Sequence, residues 1–308
     1  MTSRRSLVCT VPVIVCALGC GGSQPPRTPS VYTAEQLNTL ASTPPMVDIP
    51  GVPPASPQQE PSSEPTSEPT PTPPAGHAHL RLLHASPDPA LSHLAVYLDQ
   101  ATEPLIDPAT YRHDTGYRDV LAGGHSVSVR AATAAPGDPA TAMAHTPVLA
   151  ADHPYTLVVY GRATGLPHAG ISSAEDDTAQ PEAGHARVRF FHAMEGAGAV
   201  DVCFRGGHVP PMFANVPYGS WGTHDPSGGY ATVTTGHPIV FQFRAQNATP
   251  CTGRVLGTVT HTVDDRHVVT VVATGVAGAH SQDGSRQGMV CTDAPAPVGE
   301  GCVTVPIR

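Results

Sequence analysis

The sequence predicts an all-β protein: two tandem, immunoglobulin-like antiparallel β-sandwich domains that follow a disordered, proline-rich tether. Three observations support this prediction. The 308 residues include 35 prolines and 30 glycines, which favour turns and extended chain over long helices. Short runs rich in valine, leucine and tyrosine alternate with Gly/Pro/Asp turns, as β-sandwich strands do. The stretch that begins at residue 76 recurs at residue 184.

The N-terminus has the pattern of an export signal, which we assign to residues 1–19. Arg4 and Arg5 precede an apolar stretch, Leu7 to Leu18, that is too short to span a bilayer as a helix. It ends Ala17-Leu18-Gly19-Cys20, with small residues next to a cysteine, and this resembles the bacterial lipoprotein signal. We therefore expect an exported cell-envelope protein, anchored in the outer membrane by a lipid on Cys20. An ordinary secretory peptide with an incidental cysteine is the alternative.

Residues 20–75 are predicted to be a disordered tether rich in Pro, Ser, Thr and Glu. The segment from Glu60 to Pro71 repeats a rough Ser/Thr-Glu-Pro pattern without an apolar residue. Such a segment buries too little apolar surface to offset the entropy lost on ordering. The tether would hold the following domains away from the membrane.

The repeat defines the two domains, which we place at residues 76–170 and 184–278. The repeated stretch is Gly76-His-Ala-His-Leu-Arg-Leu-Leu-His-Ala85, which returns as Gly184-His-Ala-Arg-Val-Arg-Phe-Phe-His-Ala193. Each is predicted to be a strand with the histidine of its His-Ala end on one face and the arginine, Arg81 or Arg189, on the other. Each copy then has a tyrosine before a Gly-Gly turn, Tyr117 and Tyr218. Further predicted strands are 94–99, 126–129 and 155–161 in the first copy, and 200–205, 230–233 and 268–275 in the second. Residues 171–183 are predicted to be a linker, and residues 279–308 a polar tail.

Four cysteines remain after the signal and Cys20. An even number in an oxidising compartment predicts disulfides, and we favour Cys203 with Cys251 and Cys291 with Cys302, because each pair then lies within one segment. The longer loop would stabilise the fold by about 3–4 kcal/mol. A metal cluster is the weaker alternative, because the sequence has no CxxC spacing.

Several motifs together resemble the domain of unknown function 4397 family. They are Arg-x-x-His-Ala at Arg81 and Arg189, Val200-Asp201-Val202, and the closing Tyr155-Thr-Leu-Val-Val-Tyr-Gly161. The first copy keeps the loop His84-Ala-Ser-Pro-Asp88, which the second copy replaces. The resemblance implies two tandem copies of an exported, envelope-associated β domain. The family has no established activity, so it implies no catalytic residues.

The sequence contains few motifs that indicate catalysis or metal binding. Gly-x-Ser-x-Gly, His-Glu-x-x-His and Walker sequences are absent, so we predict no catalytic residues, no cofactor and no enzymatic activity. His77 and His79 alternate on one strand, but the second copy has Arg187 at the second position, and we predict no metal site. Asp176-Asp177 and Asp264-Asp265 are interpreted as solvated turns.

His84 and His192 occupy the same place in both copies. They are either ligand or proton-switch residues, or half-buried imidazoles that hydrogen-bond the following loop and fix its turn. The second interpretation is favoured.

Three residues are candidates for binding: Trp221, Tyr218 and Ser86. The only tryptophan lies in a glycine-rich turn region, where with Tyr218 it either stacks on a sugar or a protein partner or fills the core of the second domain. The net charge of −9 argues against nucleic acid as a partner. We expect a non-enzymatic binding or adhesion module, with an envelope protein or polysaccharide as ligand. A purely structural envelope protein is the alternative, and an envelope hydrolase or metal-dependent enzyme comes second.

Overall fold

A computed structural model describes residues 76–135, 137–205, 210–223, 229–278, 286–293 and 301–308. The predicted signal peptide, the tether and Cys20 lie outside these ranges. The described chain is all-β, as the sequence predicts, with strands β1 to β18 and one short 3-10 helix, Pro89–Leu91. Asp88 caps that helix by accepting a hydrogen bond from the Ala90 amide.

The first sandwich contains strands β1 to β8. We call the sheet that packs on the other sandwich the inner sheet; its order is β4-β1-β7-β8. The outer sheet has the order β3-β2-β5-β6. Alternating side chains such as Leu80, Val96 and Val129 fill the space between the sheets. The strands are β1 His77–His84, β2 His93–Leu98, β3 Ile106–Thr110, β4 Arg118–Leu121, β5 Ser126–Ala131, β6 Ala142–His145, β7 Pro154–Tyr160 and β8 Gly170–Glu175.

The second sandwich contains strands β9 to β18. Its inner sheet has the order β12-β9-β16-β17-β18, with β13 also paired to β9, and its outer sheet the order β11-β10-β14-β15. Its core includes Phe190, Phe213, Phe241 and Phe243. The strands are β9 His185–Glu195, β10 Val200–Phe204, β11 Phe213–Val216, β12 Ser220–Trp221, β13 Ala231–Thr234, β14 Ile239–Ala245, β15 Val255–His261, β16 Val268–Val276, β17 Arg286–Thr292 and β18 Cys302–Pro306.

The two inner sheets repeat the same register. In each, the first strand pairs in parallel with the late valine-rich strand, His84 with Val159 and His192 with Ala273. Every other strand pair is antiparallel among the described residues. The parallel pair requires a long connection, which the outer sheet supplies.

The register also corrects one sequence-based correspondence. Leu80 pairs with Arg118 in the first sandwich, and Val188 pairs with Ala231 in the second. The counterpart of Tyr117 is therefore Tyr230, whereas the sequence comparison matched Tyr117 with Tyr218. Counting from β1 and β9 in the same way, the counterpart of Tyr218 is Tyr111, because Gly219 and Arg112 each donate to the carbonyl of the repeated histidine.

The inner sheets pack on each other. A third apolar cluster joins Leu83 and Val158 of the first sandwich to Phe191, Val272 and Met289 of the second. The fold is therefore four layers of sheet, and all described residues fall in one compact unit. Each sandwich has its own core, and the third apolar cluster joins the two sandwiches.

The segments on either side of the predicted second domain, residues 184–278, contain strands of the two inner sheets. Strand β8, Gly170–Glu175, opens the stretch predicted to be a linker and pairs with β7. Strands β17 and β18 come from the stretch predicted to be a tail. The disulfides Cys203–Cys251 and Cys291–Cys302 are those favoured from the sequence, and the second joins β17 to β18.

The C-terminus closes one side of the second sandwich. Arg308 exchanges backbone hydrogen bonds with Thr258 in the outer sheet, and the Ile307 side chain is buried in the core. Gly257 makes room for it: a Cβ at this position would lie 2.1 Å from the Ile307 Cγ2 atom. The last residues of the chain therefore join the inner sheet to the outer one.

Candidate functional site at the junction of the sandwiches

Two buried arginines cross the junction between the inner sheets. Arg81 on β1 is 1% exposed and Arg189 on β9 is 3% exposed. Arg81 pairs through Nη2 with Asp293, which follows β17 of the second sandwich. Arg189 pairs through Nη2 with Asp176, which follows β8 of the first sandwich. Each sandwich therefore neutralises the arginine of the other.

The other arginine donors are also satisfied, and by matching groups. Arg81 Nε donates to Thr156 Oγ1 at 2.9 Å, and Nη1 donates to the Thr292 carbonyl at 2.6 Å. The second sandwich repeats this pattern: Arg189 Nε donates to Thr270 Oγ1 at 2.7 Å and Nη1 to the Glu175 carbonyl at 3.0 Å. Buried charge is tolerated when its hydrogen bonds are met in this way.

Hydroxyl groups complete the network around the two carboxylates. Tyr117 donates to Asp176 at 2.5 Å and Tyr230 donates to Asp293 at 2.7 Å. Burial by itself would raise the pKa of Asp176, but Arg189 and Arg81 hold that pKa below its ordinary value. Burial raises the pKa of both tyrosine hydroxyls well above the usual range, so they remain donors. The network ties the two sandwiches together with its charges balanced.

The interpretation of Asp176-Asp177 as a solvated turn is wrong for Asp176. Its carboxylate is buried and is shared by Arg189, Tyr117 and Thr156. Asp177 is half-buried and pairs with Arg187. The prediction failed because the partners lie on strands distant in sequence, whereas the neighbouring residues are polar and resemble a linker.

The repeated histidines are buried and hold loops in place. His84 Nε2 lies 2.5 Å from the Leu91 carbonyl, while its Nδ1 accepts from the Ser86 amide at 3.3 Å. His192 repeats this pattern with the Gly198 carbonyl at 2.8 Å and the Met194 amide at 3.3 Å. Burial lowers the pKa of each imidazole to about 4, so each is neutral at pH 7. The structure confirms the predicted hydrogen bonds to the following loop, but each imidazole is fully buried where the sequence predicted a half-buried one.

Four aromatic rings meet where the junction reaches the surface, and we call them the junction cluster: Tyr160, Phe191, Tyr218 and Trp221. The ring centroids of Phe191 and Trp221 are 4.8 Å apart, and Tyr160 lies 5.5 Å from both Phe191 and Tyr218. Tyr160 comes from the first sandwich and the other three rings from the second. Phe191 is buried, whereas the other three are half-buried. The cluster combines apolar area with partial access to solvent.

An ion pair flanks the junction cluster. Arg162 Nε and Nη2 lie 2.8 and 2.7 Å from Glu195 Oε2, with the Arg162 side chain 36% exposed and that of Glu195 buried. Burial raises the pKa of the Tyr218 hydroxyl, and the charge of Glu195 raises it further. Glu195 Oε1 and Trp221 Nε1 have no hydrogen-bond partner among the described residues. These two atoms are enclosed, and the accessible part of this region consists of Arg162 and the aromatic rings.

The structure brings the three predicted binding residues to this junction in different ways. Trp221 packs its ring on Phe191 and under the Arg189 guanidinium, 4.6 Å from the ring centroid. Tyr218 packs edge-on against His192 and Tyr160. Ser86 is buried beside them and donates its hydroxyl hydrogen to the Gly161 carbonyl at 2.6 Å. Trp221 therefore packs against the core, as one of its two predicted roles expects, and it also keeps a partly exposed ring.

Tyr160, Arg162 and Glu195 were missed from the sequence. A signal was available, because the late strand of each copy ends in Tyr160-Gly161-Arg162 or Thr274-Gly275-Val276. A tyrosine and an arginine stand in one copy only, at the end of a strand that both copies share, so this is a place where the two copies differ.

Outside the junction, Asp264, His261 and His267 line a cleft of about 350 Å³. His267 Nδ1 lies 4.0 Å from Asp264 Oδ2, and the Asp264 side chain is exposed, as the interpretation of a solvated turn expects. Within the described ranges, no group of three or more His, Cys, Asp or Glu side chains is placed to hold a metal ion. The described residues also include no helix long and apolar enough to cross a membrane.

Part of the chain is similar to known proteins. The repeated Arg-x-x-His-Ala strand supplies both the crossing arginine and the loop-fixing histidine, and it begins the segment that a family model matches. Residues 78–203 match the DUF4397 family. Its description is a domain of unknown function. The DUF4397 match runs from β1 to β10 and so covers the first sandwich and the start of the second. No curated protein matches the chain.

Two solved structures are similar to part of the chain. One concerns alpha-glucan recognition by family 41 carbohydrate-binding modules from streptococcal virulence factors, with 16% identity and a TM-score of 0.20 over 63% of this chain and 93% of that chain. The other concerns alpha-glucan binding by a streptococcal virulence factor, with 13% identity and a TM-score of 0.21 over 63% and 92%. With TM-scores this low, the likeness supports no argument about this chain.

Proposed function

We propose that this chain is a non-enzymatic binding or adhesion module of the bacterial cell envelope. The partly exposed junction cluster is the observation that supports the proposal. Four buried groups near the junction that acid–base chemistry could use are committed to the fold: His84 and His192 hold loops, and Asp176 and Asp293 neutralise arginines. What remains at the surface of the junction is aromatic area beside an ion pair, which suits binding.

A purely structural envelope protein is the second candidate, because the sealed network of two arginines and two aspartates stabilises the fold whether or not a ligand exists. The two candidates differ in one measurable respect. A binding module retains a specific partner in saturable fashion, whereas a structural protein shows only effects of mutation on stability.

We expect the purified full chain, kept in detergent, to be retained in saturable fashion by one envelope polysaccharide or one solubilised envelope protein. Trp221→Ala should weaken retention about tenfold or more, since tryptophans of this kind dominate interface energies. Affinity chromatography with sugar analysis and mass spectrometry would identify the partner. Asp114→Ala, at the counterpart position of the first sandwich, is the matched control and should retain wild-type binding. If the wild-type chain is retained no better than an unrelated β-sandwich, the structural alternative stands.

We also propose that the chain is exported and anchored in the outer membrane through a lipid on Cys20, with residues 21–75 as the tether, and that the second sandwich is a further copy of the matched domain. The short apolar stretch before Cys20 and the two disulfides support export. In cells fed an alkyne-tagged fatty acid, the wild-type chain should be labelled and should fractionate with the outer membrane. Cys20→Ala should abolish the label. Unlabelled wild-type chain would point to an ordinary secretory signal instead.

A further inference from the structure

The two ends of the junction have equivalent positions, so the residues at one end can be compared with those at the other. The shared register makes Thr274 the equivalent of Tyr160. Asp114 is the equivalent of Trp221, because Asp114 forms a bridge with Leu83 as Trp221 does with Phe191. Counting from the same anchors pairs Arg162 with Val276, Glu195 with Pro87 and Tyr218 with Tyr111.

The residues that hold the fold are the same at both ends. Each end has a crossing arginine, the aspartate that pairs with it, a threonine that accepts from the arginine Nε, a tyrosine that donates to one of the two aspartates, and a histidine that holds a loop. These residues are Arg81, Asp293, Thr156, Tyr117 and His84 at one end, and Arg189, Asp176, Thr270, Tyr230 and His192 at the other. Tyr111 and Tyr218 likewise both pack on their histidines, with ring centroids 5.8 Å apart in each case. What is needed for stability has therefore been kept in duplicate.

Two residues of the junction cluster, Tyr160 and Trp221, have no aromatic counterpart at the other end. Where one end has Tyr160 and Trp221, the other has Thr274 and Asp114. The smaller residues serve the fold at their own end: Thr274 donates to the Ala85 carbonyl at 2.6 Å, and Asp114 Oδ2 lies 4.0 Å from Arg81 Nη1. The fold therefore does not require large aromatic rings at these positions. The rings of Tyr160 and Trp221 are half-buried and lie near the partly exposed Arg162. Packing alone does not explain why such rings are present at one end only.

The chemistry of this end fits a neutral sugar chain. Half-buried tyrosine and tryptophan rings offer apolar faces on which the C–H face of a pyranose stacks. Arg162 is neutralised by Glu195, so its exposed N–H groups offer donors to hydroxyls without a net positive charge that would select an anion. The net charge of −9 repels polyanions further.

We propose that the end of the junction lined by Tyr160, Arg162, Tyr218 and Trp221 is a binding site for a neutral polysaccharide, and that the chain has one such site although it has two similar sandwiches. This inference rests on the proposed function and makes it specific. The counterpart end, with Thr274, Asp114 and Val276, binds no sugar. A chain with one site cannot hold a polysaccharide at two places at once, so no avidity arises within a single chain.

The test is isothermal titration of the full chain in detergent with three neutral probes: maltohexaose, xylohexaose and chitohexaose. We expect one of them to bind with a stoichiometry of one per chain. Tyr160→Thr, which installs the residue of the counterpart end, should weaken that binding about tenfold or more. Thr274→Ser, at the counterpart end, is the matched control and should leave the affinity within about twofold. Urea unfolding of both variants would show that each keeps its fold.

The outcomes separate the inference from the proposed function. A stoichiometry of two, or an affinity that Tyr160→Thr leaves unchanged in a folded variant, would overturn the single site while the binding module stands. Retention of a protein partner that Tyr160→Thr abolishes, with no sugar bound, would overturn the ligand class. If neither sugars nor envelope components bind the wild-type chain, the proposed function itself fails. Tyr218→Phe gives an independent check, because it keeps the ring and its packing and should reduce affinity less than Tyr160→Thr does.

Discussion

Replacing Arg81 with methionine is expected to lower the free energy of unfolding by about 3–5 kcal/mol, although methionine fills much of the same space. The loss arises because Asp293 stays buried without the guanidinium that pairs with it, and the Thr292 carbonyl loses its donor. Urea unfolding followed by tryptophan fluorescence would measure the change, since the single tryptophan lies in the junction cluster.

The matched control for this change is Arg130→Met. Arg130 is half-buried on the outer sheet of the same sandwich and stacks on Tyr97, with the guanidinium carbon 4.6 Å from the ring centroid. Its replacement should cost about 1 kcal/mol or less. The double variant Arg81→Met with Asp293→Asn should recover part of the loss, because the remaining partner no longer bears a charge. Equal effects of Arg81→Met and Arg130→Met would show that the crossing pair contributes nothing special.

Acid is expected to destabilise the fold between pH 6.5 and pH 4, because two buried histidines are neutral in the folded chain. His84 and His192 have ordinary pKa values near 6.5 in the unfolded chain but values lowered to about 4 in the folded one. In this window the unfolded state binds more protons, so stability falls as the pH falls. Each histidine should remove about 3 kcal/mol by pH 4, and their contributions are fully present above pH 6.5.

The measurement is the free energy of unfolding in urea at steps from pH 7.5 to pH 4. The variant His84→Gln with His192→Gln should flatten the dependence, since glutamine keeps a donor and an acceptor but does not titrate in this range. His145→Gln, which removes an exposed imidazole, should leave the slope of the wild-type chain. Asp176 does not contribute in this window, because its pKa lies below its ordinary value. A wild-type curve that stays level down to pH 4 would contradict the neutral, buried imidazoles.

The fold class was accessible from the sequence because it depends on local pattern. Strands β1, β2, β5, β7, β9, β10, β13 and β16 correspond to runs of apolar residues that the sequence shows directly. The role of His84 and His192 was also accessible, because a residue repeated at the end of a buried strand faces the same surroundings twice. The disulfide pairs were also accessible, because each pair lies within one of the predicted segments.

The junction was not accessible, because its contacts join residues far apart in the chain. Asp293 lies 212 residues after Arg81, and the stretch that contains it was interpreted as a polar tail. Strand β8 was interpreted as linker for the same reason, since its serines and acidic residues resemble exposed chain. Only the packing of one inner sheet on the other shows why such polar residues occupy these places. The junction cluster depends on the same packing, because Tyr160 and Tyr218 belong to different sandwiches.

The crossing arginine pairs also couple the unfolding of one sandwich to that of the other. Arg81 and Asp293 belong to different sandwiches, and so do Arg189 and Asp176. Unfolding of either sandwich alone would leave a buried charge in the other without its main partner. We therefore expect the two sandwiches to unfold together, in one cooperative transition.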